Sequence, residues 1–297
     1  MARAELYRTY DVAEHLVHSA AVGDTFKIKV LRPISHVDGL ERFPVLYCTD
    51  SDYFFGGLAN LSSLLQVSGE ASPFILVGIG YENAAAADLL RWRDLVTHPI
   101  RARFRRELEQ VADAPLINGV DTLARITETT DASAFLSFIR DDLMPFVEAN
   151  YPARHADNSY FGYSAGGTFG LYTLFSRPDT FTRYILGSPG TSYAGDHFGI
   201  ELAKAFLVSG SAMNAKVFLS VGELEEFKRG FRNFDLVTGY YRLAQFLMNS
   251  PVPGLEVTTR VFPDETHATA WTLAFSHGLR TLLPPSEPVP YWPEYMQ

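Results

Sequence analysis

Two short stretches of the chain, Pro44-Val45-Leu46-Tyr47-Cys48 and Pro73-Phe74-Ile75-Leu76-Val77-Gly78-Ile79, are apolar almost without a break. A strand with one face in water alternates polar and apolar side chains, so uninterrupted runs of this length fit strands covered on both faces. The run at 216–221 (Lys-Val-Phe-Leu-Ser-Val) reads as a further strand, and others are expected at 184–186 and 256–262. Between and after them, residues 57–67, 134–147, 236–248 and 268–283 carry apolar side chains at helical spacing. Residues 25–31 alternate with period two and are expected to pair with residues 14–22 across a turn at Gly23-Asp24. Strands that alternate with helices in this way predict an α/β fold: a mainly parallel central sheet with helices on both faces.

No internal repeat and no Ser/Pro/Gly linker divides the 297 residues, so 1–297 reads as a single domain. Residues 81–130 do not fit the alternation and are expected to form a lid or substrate-binding insertion. They hold Arg91, Arg93, Arg101, Arg103, Arg105 and Arg106, for which local ion pairs on a solvated face are the simpler reading and an anion-binding lid the alternative. The segment 284–297 reads as an extended, aromatic tail that packs on its own domain or on a second subunit of a homodimer. A formal net charge of −9 argues against general affinity for nucleic acid or anionic membranes, and no apolar run is long enough to span a bilayer. The single cysteine, Cys48, rules out an internal disulfide and fits a reducing compartment, so a cytoplasmic location is expected.

The chemistry is concentrated in Gly162-Tyr163-Ser164-Ala165-Gly166, a Gly-x-Ser-x-Gly run with an aromatic strand-like stretch before it and a helix-like stretch after it. A serine at the tip of a strand-to-helix turn needs small neighbours two positions away on both sides, because a Cβ there is expected to collide with the turn's backbone. Such a turn exposes the hydroxyl and aims the first helical N–H groups at the same point, where an oxyanion can develop. Ser164 is therefore the candidate nucleophile.

A serine hydroxyl needs a base in hydrogen-bond reach, and the base needs an orienting acceptor. Of the eight histidines, His267 is best placed, in the loop after the strand at 256–262 and just before the last helix. His277 lies inside that helix and is read as structural. The acid is expected after the preceding strand, where Gly222-Glu223-Leu224-Glu225-Glu226 offers three carboxylates. Glu225 is the candidate acid, with Glu226 the closest rival and Glu223 a residue that could hold the loop. An acidic helix start explains at least one of them in any case. The order nucleophile, acid, base is that of α/β-hydrolases. Two oxyanion donors are expected: the N–H of Ala165, and that of Asp52 in the loop Thr49-Asp50-Ser51-Asp52-Tyr53. Asp50 and Asp52 alone do not make a metal site, and neither metal nor cofactor is expected.

The chain resembles the esterase D-type esterases of the α/β-hydrolase superfamily, a group that includes enterobactin-type siderophore esterases and, more distantly, mycolyltransferases. The resemblance extends from about residue 19 to residue 282. It rests on Phe138-Ile139-Arg140-Asp141-Asp142-Leu143-Met144-Pro145-Phe146, Asn150-Tyr151, the run 162–167, Phe175-Ser176-Arg177-Pro178-Asp179-Thr180-Phe181 and Ser188-Pro189, with Arg91-Trp92-Arg93-Asp94 further upstream. It implies an α/β-hydrolase fold and carries Ser164, His267 and Glu225 over as the catalytic residues. The chain differs after Ser188-Pro189, where Gly190-Thr191-Ser192-Tyr193 stands in place of the tryptophans of many siderophore-type relatives. The expected activity is that of a serine carboxylesterase acting on a small-molecule ester, in which a lactone or siderophore-like ester is included. Acyl transfer and thioester hydrolysis are alternatives on the same residues, and an inactive hydrolase-fold binding protein is the alternative from another class.

Overall fold

A computed structural model describes residues 12–33, 41–96, 132–191, 197–227 and 235–285. They build one eight-stranded sheet with strand order β1-β2-β4-β3-β5-β6-β7-β8. The first two strands, β1 (Val12–Ser19) and β2 (Asp24–Leu31), form the expected hairpin, with Gly23 at φ 72° in the turn. Strand β2 runs antiparallel to β4 (Ile75–Tyr81). From β4 onward, β3 (Phe43–Cys48), β5 (Ala153–Tyr163), β6 (Arg183–Gly187), β7 (Ala215–Gly222) and β8 (Leu255–Phe262) are all parallel.

Burial explains why the two unbroken apolar runs became β3 and β4. Every residue of both strands is buried, because helices lie on each face. On one face, Tyr47, Val77, Tyr160 and Leu219 pack against the helical segment that leads into β5, against α5 (Ala165–Ser176) and α6 (Phe198–Ser209), and against α7 (Leu236–Asn249). On the other, Leu46, Leu76, Phe161, Ile185 and Phe218 pack against α1 (Ser51–Val67) and α8 (Ala270–Leu282). Neighbouring residues of one strand, Tyr160 and Phe161, thus enter different cores, as the two-residue period of a strand requires.

The segment leading into β5 is helical from Ala132 to Asn150, as α3 (Ala132–Ser137), a π-helical turn (Phe138–Leu143) and α4 (Met144–Asn150). Pro145 lacks the N–H that would bond one turn back and its ring crowds the carbonyl there, and the widened turn directly ahead accommodates both. Within that turn Arg140 donates two 2.9 Å hydrogen bonds to Asp179, which joins two of the motif segments.

Three elements differ from expectation. Helix α1 starts at Ser51, six residues before its apolar spacing becomes clear, because Asp50 adopts a left-handed conformation (φ 56°, ψ 35°) that ends β3 abruptly. The loop expected around Asp52 is therefore the first turn of a helix. Helix α6 was not anticipated, although Phe198, Leu202, Ala203 and Phe206 have helical spacing. The described part of the expected insertion, residues 81–96, holds the end of β4, a short 3-10 turn and α2 (Ala87–Leu95). Residues 97–130, with Arg101, Arg103, Arg105 and Arg106, lie outside the described residues, as does the tail from 286. No helix among the described residues is long and apolar enough to cross a membrane.

Helix α8 reaches the sheet through Gly278, where a Cβ would lie 2.4 Å from Ile185 Cγ2. Gly278→Ala must push α8 off β6, and we expect it to lower the unfolding free energy by roughly 1–3 kcal/mol, measured by urea denaturation.

Candidate active site

Parallel strands end together, so the turns after β3, β5, β6, β7 and β8 meet at one edge of the sheet. Ser164 occupies the turn after β5 with φ 57° and ψ −118°, a backbone conformation that a residue with a Cβ rarely adopts. Its N–H donates to the Gly187 carbonyl at 2.9 Å, and its own carbonyl accepts from the Thr168 N–H at 3.0 Å, which starts α5. The flanking glycines are required, but for different reasons. A Cβ on Gly162 would lie 2.2 Å from the Gly166 carbonyl oxygen, within the turn, as expected. A Cβ on Gly166 would instead lie 2.5 Å from Thr49 Oγ1, on the neighbouring turn after β3. Tyr160 ties those two turns together: its hydroxyl donates to the Gly166 carbonyl at 2.8 Å and sits 3.0 Å from Thr49 Oγ1.

Ser164, Ala165 and His267 line one cleft of about 380 Å³. His267 follows β8 and a turn whose Asp264 has φ 61°. Its Nδ1 is 2.7 Å from Glu225 Oε2. Glu225 is 1% exposed, and its second oxygen, Oε1, accepts hydrogen bonds from the Gly222 N–H at 2.7 Å and the Ser188 hydroxyl at 2.5 Å. The Tyr163 hydroxyl donates to the His267 carbonyl at 2.9 Å and lies 3.4 Å from Glu225 Oε1. Its ring packs on the imidazole with centroids 4.9 Å apart. Burial, reinforced by the Glu225 carboxylate, pushes the Tyr163 phenol well above its ordinary range, so it stays a donor.

The neighbouring carboxylates do other work. Glu223 Oε2 accepts from the Asp264 N–H at 3.1 Å, holding the turn ahead of His267. Glu226 accepts from the Thr238 N–H and hydroxyl and so caps the first turn of α7. Residues 223–227 themselves form turns and not the acidic helix start considered from sequence. His277 lies on α8 against Phe262 with ring centroids 5.2 Å apart, and is absent from the cleft lining. Burial and the cations Arg280 and Arg260 lower its pKa. Cys48, fully buried at the end of β3, has its thiol pushed upward by burial and by the nearby Asp50 carboxylate, away from reactivity.

Asp52 is less directly placed than the other expected site residues. Its carboxylate accepts from the Tyr81 N–H at 2.9 Å, and the residues of α1 that line the cleft are Tyr53 and Phe54. The amides of Tyr53 and Phe54 return to the Asp50 carbonyl at 3.0 and 3.1 Å. Asp52 precedes them in the first turn of the helix.

Sequence reasoning did not anticipate the role of Asp50. Its buried carboxylate takes a two-pronged hydrogen bond from Arg91 on α2, at 2.8 and 2.9 Å, and Arg91 forms part of the cleft wall. The pairing with Asp50 keeps the Arg91 guanidinium firmly charged despite its burial. Arg93 likewise pairs with Asp94 and Asp24. These two arginines of the basic cluster therefore make the local ion pairs of the simpler reading, but largely buried and not on the solvated face expected with them. Trp92 and Trp271 add aromatic walls to the cleft, and Tyr53 donates to Asp88 at its rim.

The sheet, the helices on both faces and the strained strand-to-helix turn make this an α/β-hydrolase fold. Residues 112–281, more than half of the chain, match the family described as Putative esterase, and the chain belongs to that family. It is a carboxylic ester hydrolase. Over 259 residues it is 29% identical to the ferri-bacillibactin esterase BesA of Bacillus subtilis, covering 83% of this chain and 81% of that one. It is 41% identical over 172 residues to a siderophore triacetylfusarinine C esterase of Aspergillus fumigatus, covering 56% of this chain and 52% of the relative. Among solved structures, the BES protein from Bacillus cereus shares the fold with TM-score 0.72 at 23% identity, over 92% of this chain and 94% of that one. An IroE-like serine hydrolase from Shewanella oneidensis superposes with TM-score 0.74 at 22% identity, over 92% and 80%.

Removing one partner of a buried ion pair strands the other charge. We expect Arg91→Met to cost roughly 3 kcal/mol of stability or more and the double variant Arg91→Met/Asp50→Asn to recover part of it, both read from urea unfolding curves.

Proposed function

We propose that the chain hydrolyses its ester through an acyl-enzyme on Ser164. The observation that carries this reading is the 2.7 Å contact between His267 Nδ1 and a buried Glu225 oxygen, beside a cleft that Ser164 and His267 both line. A carboxylate on Nδ1 favours the tautomer with its proton there, which leaves Nε2 with a lone pair to accept a proton. Ser164 Oγ attacks the ester carbonyl as its proton passes to Nε2, and Glu225 stabilises the imidazolium that forms. The N–H of Ala165, the first residue of α5, points a helix N-terminus at the tetrahedral oxyanion. The Asp52 N–H, in the first turn of α1, is the proposed second donor. His267 then gives its proton to the departing alcohol, and takes one from the water that attacks the acyl-enzyme and frees the acid.

The substrate we propose is a small-molecule ester of the siderophore type, a lactone or an ester of an iron-chelating compound. The names of the two sequence relatives support this reading, and so does a cleft walled by aromatic rings. Its tryptophans come from α2 and α8, not from the segment after Ser188-Pro189 where many siderophore-type relatives carry them. With its one buried cysteine the chain suits a reducing compartment, and we place it in the cytoplasm.

Ser164→Ala is expected to lower kcat by at least about 10³-fold, to abolish labelling by a fluorophosphonate, and to leave the circular dichroism spectrum unchanged. Near-wild-type turnover in that variant would defeat the mechanism. For the substrate, kcat/KM on a siderophore lactone should exceed that on p-nitrophenyl acetate by about tenfold or more. Equal values would remove the siderophore reading while leaving the hydrolase chemistry intact.

A further inference from the structure

Ser188 is in an unfavourable conformation for a serine. It follows β6 with φ 46°, in the left-handed region, and is fully buried. Pro189, next in the chain, narrows its conformational freedom further. Six described residues other than glycine have positive φ, and Ser188 and Ser164 are the two among them that are serines. If this position served only to turn the chain, glycine would do so without the strain that a Cβ imposes there. The serine therefore needs a reason in its side chain.

That reason lies on Glu225. The Ser188 hydroxyl donates to Oε1, the oxygen that does not face His267, and the Gly222 N–H donates to the same atom. A carboxylate held at one oxygen by two donors from different turns cannot rotate about its terminal bond without breaking both contacts. Its other oxygen, Oε2, is thereby fixed on His267 Nδ1. The backbone of this turn is also tied to the nucleophile. The Ser164 N–H donates to the Gly187 carbonyl, the Ser188 N–H donates to the Ser220 carbonyl at 2.7 Å, and Thr168 on α5 bonds Gly190.

We propose that Ser188 is a positioning residue for the hydrolytic reaction: its hydroxyl aims the Glu225 carboxylate at His267, and the left-handed backbone at this position is kept so that the hydroxyl can reach it. The inference rests on the Ser164–His267–Glu225 reading above. Stability and activity respond in opposite directions here, because the substitution that relieves the strain also removes the hydroxyl.

The test compares Ser188→Gly, Ser188→Ala and Glu225→Gln in the full chain. Both Ser188 variants should lose about tenfold to a hundredfold in kcat, the scale of a lost hydrogen bond to a charged group, with KM within about twofold of wild type. Ser188→Gly should melt no lower than wild type, so its loss of turnover cannot come from a weakened fold. The low-field proton NMR signal of the His267 Nδ1–H should weaken or vanish in both. A Ser188→Gly enzyme within about twofold of wild-type kcat, alongside a severely impaired Glu225→Gln, would overturn the positioning role and leave the triad standing. A Ser188→Gly enzyme whose kcat loss tracks a fall in melting temperature would overturn it too. Undiminished turnover in Glu225→Gln would remove both.

Discussion

A carboxylate taken out of water must find donors for both of its oxygens, and Glu225 finds them at four separate strand ends. Gly222 comes from the end of β7, Ser188 from the turn after β6, His267 from the loop after β8, and Tyr163, close to the same oxygen, from the end of β5. Each group lies at the C-terminal end of a parallel strand, so satisfying one buried charge fixes the relative positions of those four strand ends. The imidazole is oriented as a consequence.

Five of the six described non-glycine residues with positive φ gather at the same edge; the sixth, Ala156, lies near the start of β5. Asp50, Ser164, Ser188, Asp235 and Asp264 all have positive φ without being glycine, and each stands in a turn or helix cap around the cleft. Such conformations persist only where surrounding contacts over-determine them. Here those contacts can be named: Arg91 holds Asp50, the Gly187 carbonyl holds the Ser164 amide, and Glu225 and the Ser220 carbonyl hold Ser188. The packed sheet beneath supplies the stability and the strained turns direct side chains into the cleft.

Much of this was legible in the chain. Unbroken apolar runs marked β3 and β4, and period-two alternation marked β2, because burial on two faces and on one face leave different patterns. The Gly-x-Ser-x-Gly spacing located the strand-to-helix turn that carries Ser164, and the positions of His267 and Glu225 after β8 and β7 followed from strand order. Other features left weaker traces. Asp50 looked like a loop residue because no sequence rule marks an aspartate that will cap a helix from the left-handed region. Its partner Arg91 lies 41 positions away on a helix hidden in an irregular segment. Gly166 was expected to be needed within its own turn, whereas its neighbour is Thr49, more than a hundred residues earlier.

The sequence by itself determined the parallel sheet, the sharp turn that carries Ser164, and the chain order of serine, carboxylate and imidazole. These follow from local patterning and from steric rules that act over a few residues. Only the tertiary structure decided which of Glu223, Glu225 and Glu226 faces His267, because all three share one short acidic stretch and differ in what other turns bring to them. Glu225 turns inward to Ser188, Gly222 and His267, while its neighbours turn to Asp264 and Thr238. Distances between strand ends separated by dozens of residues set that choice, and such distances exist only once the sheet has formed.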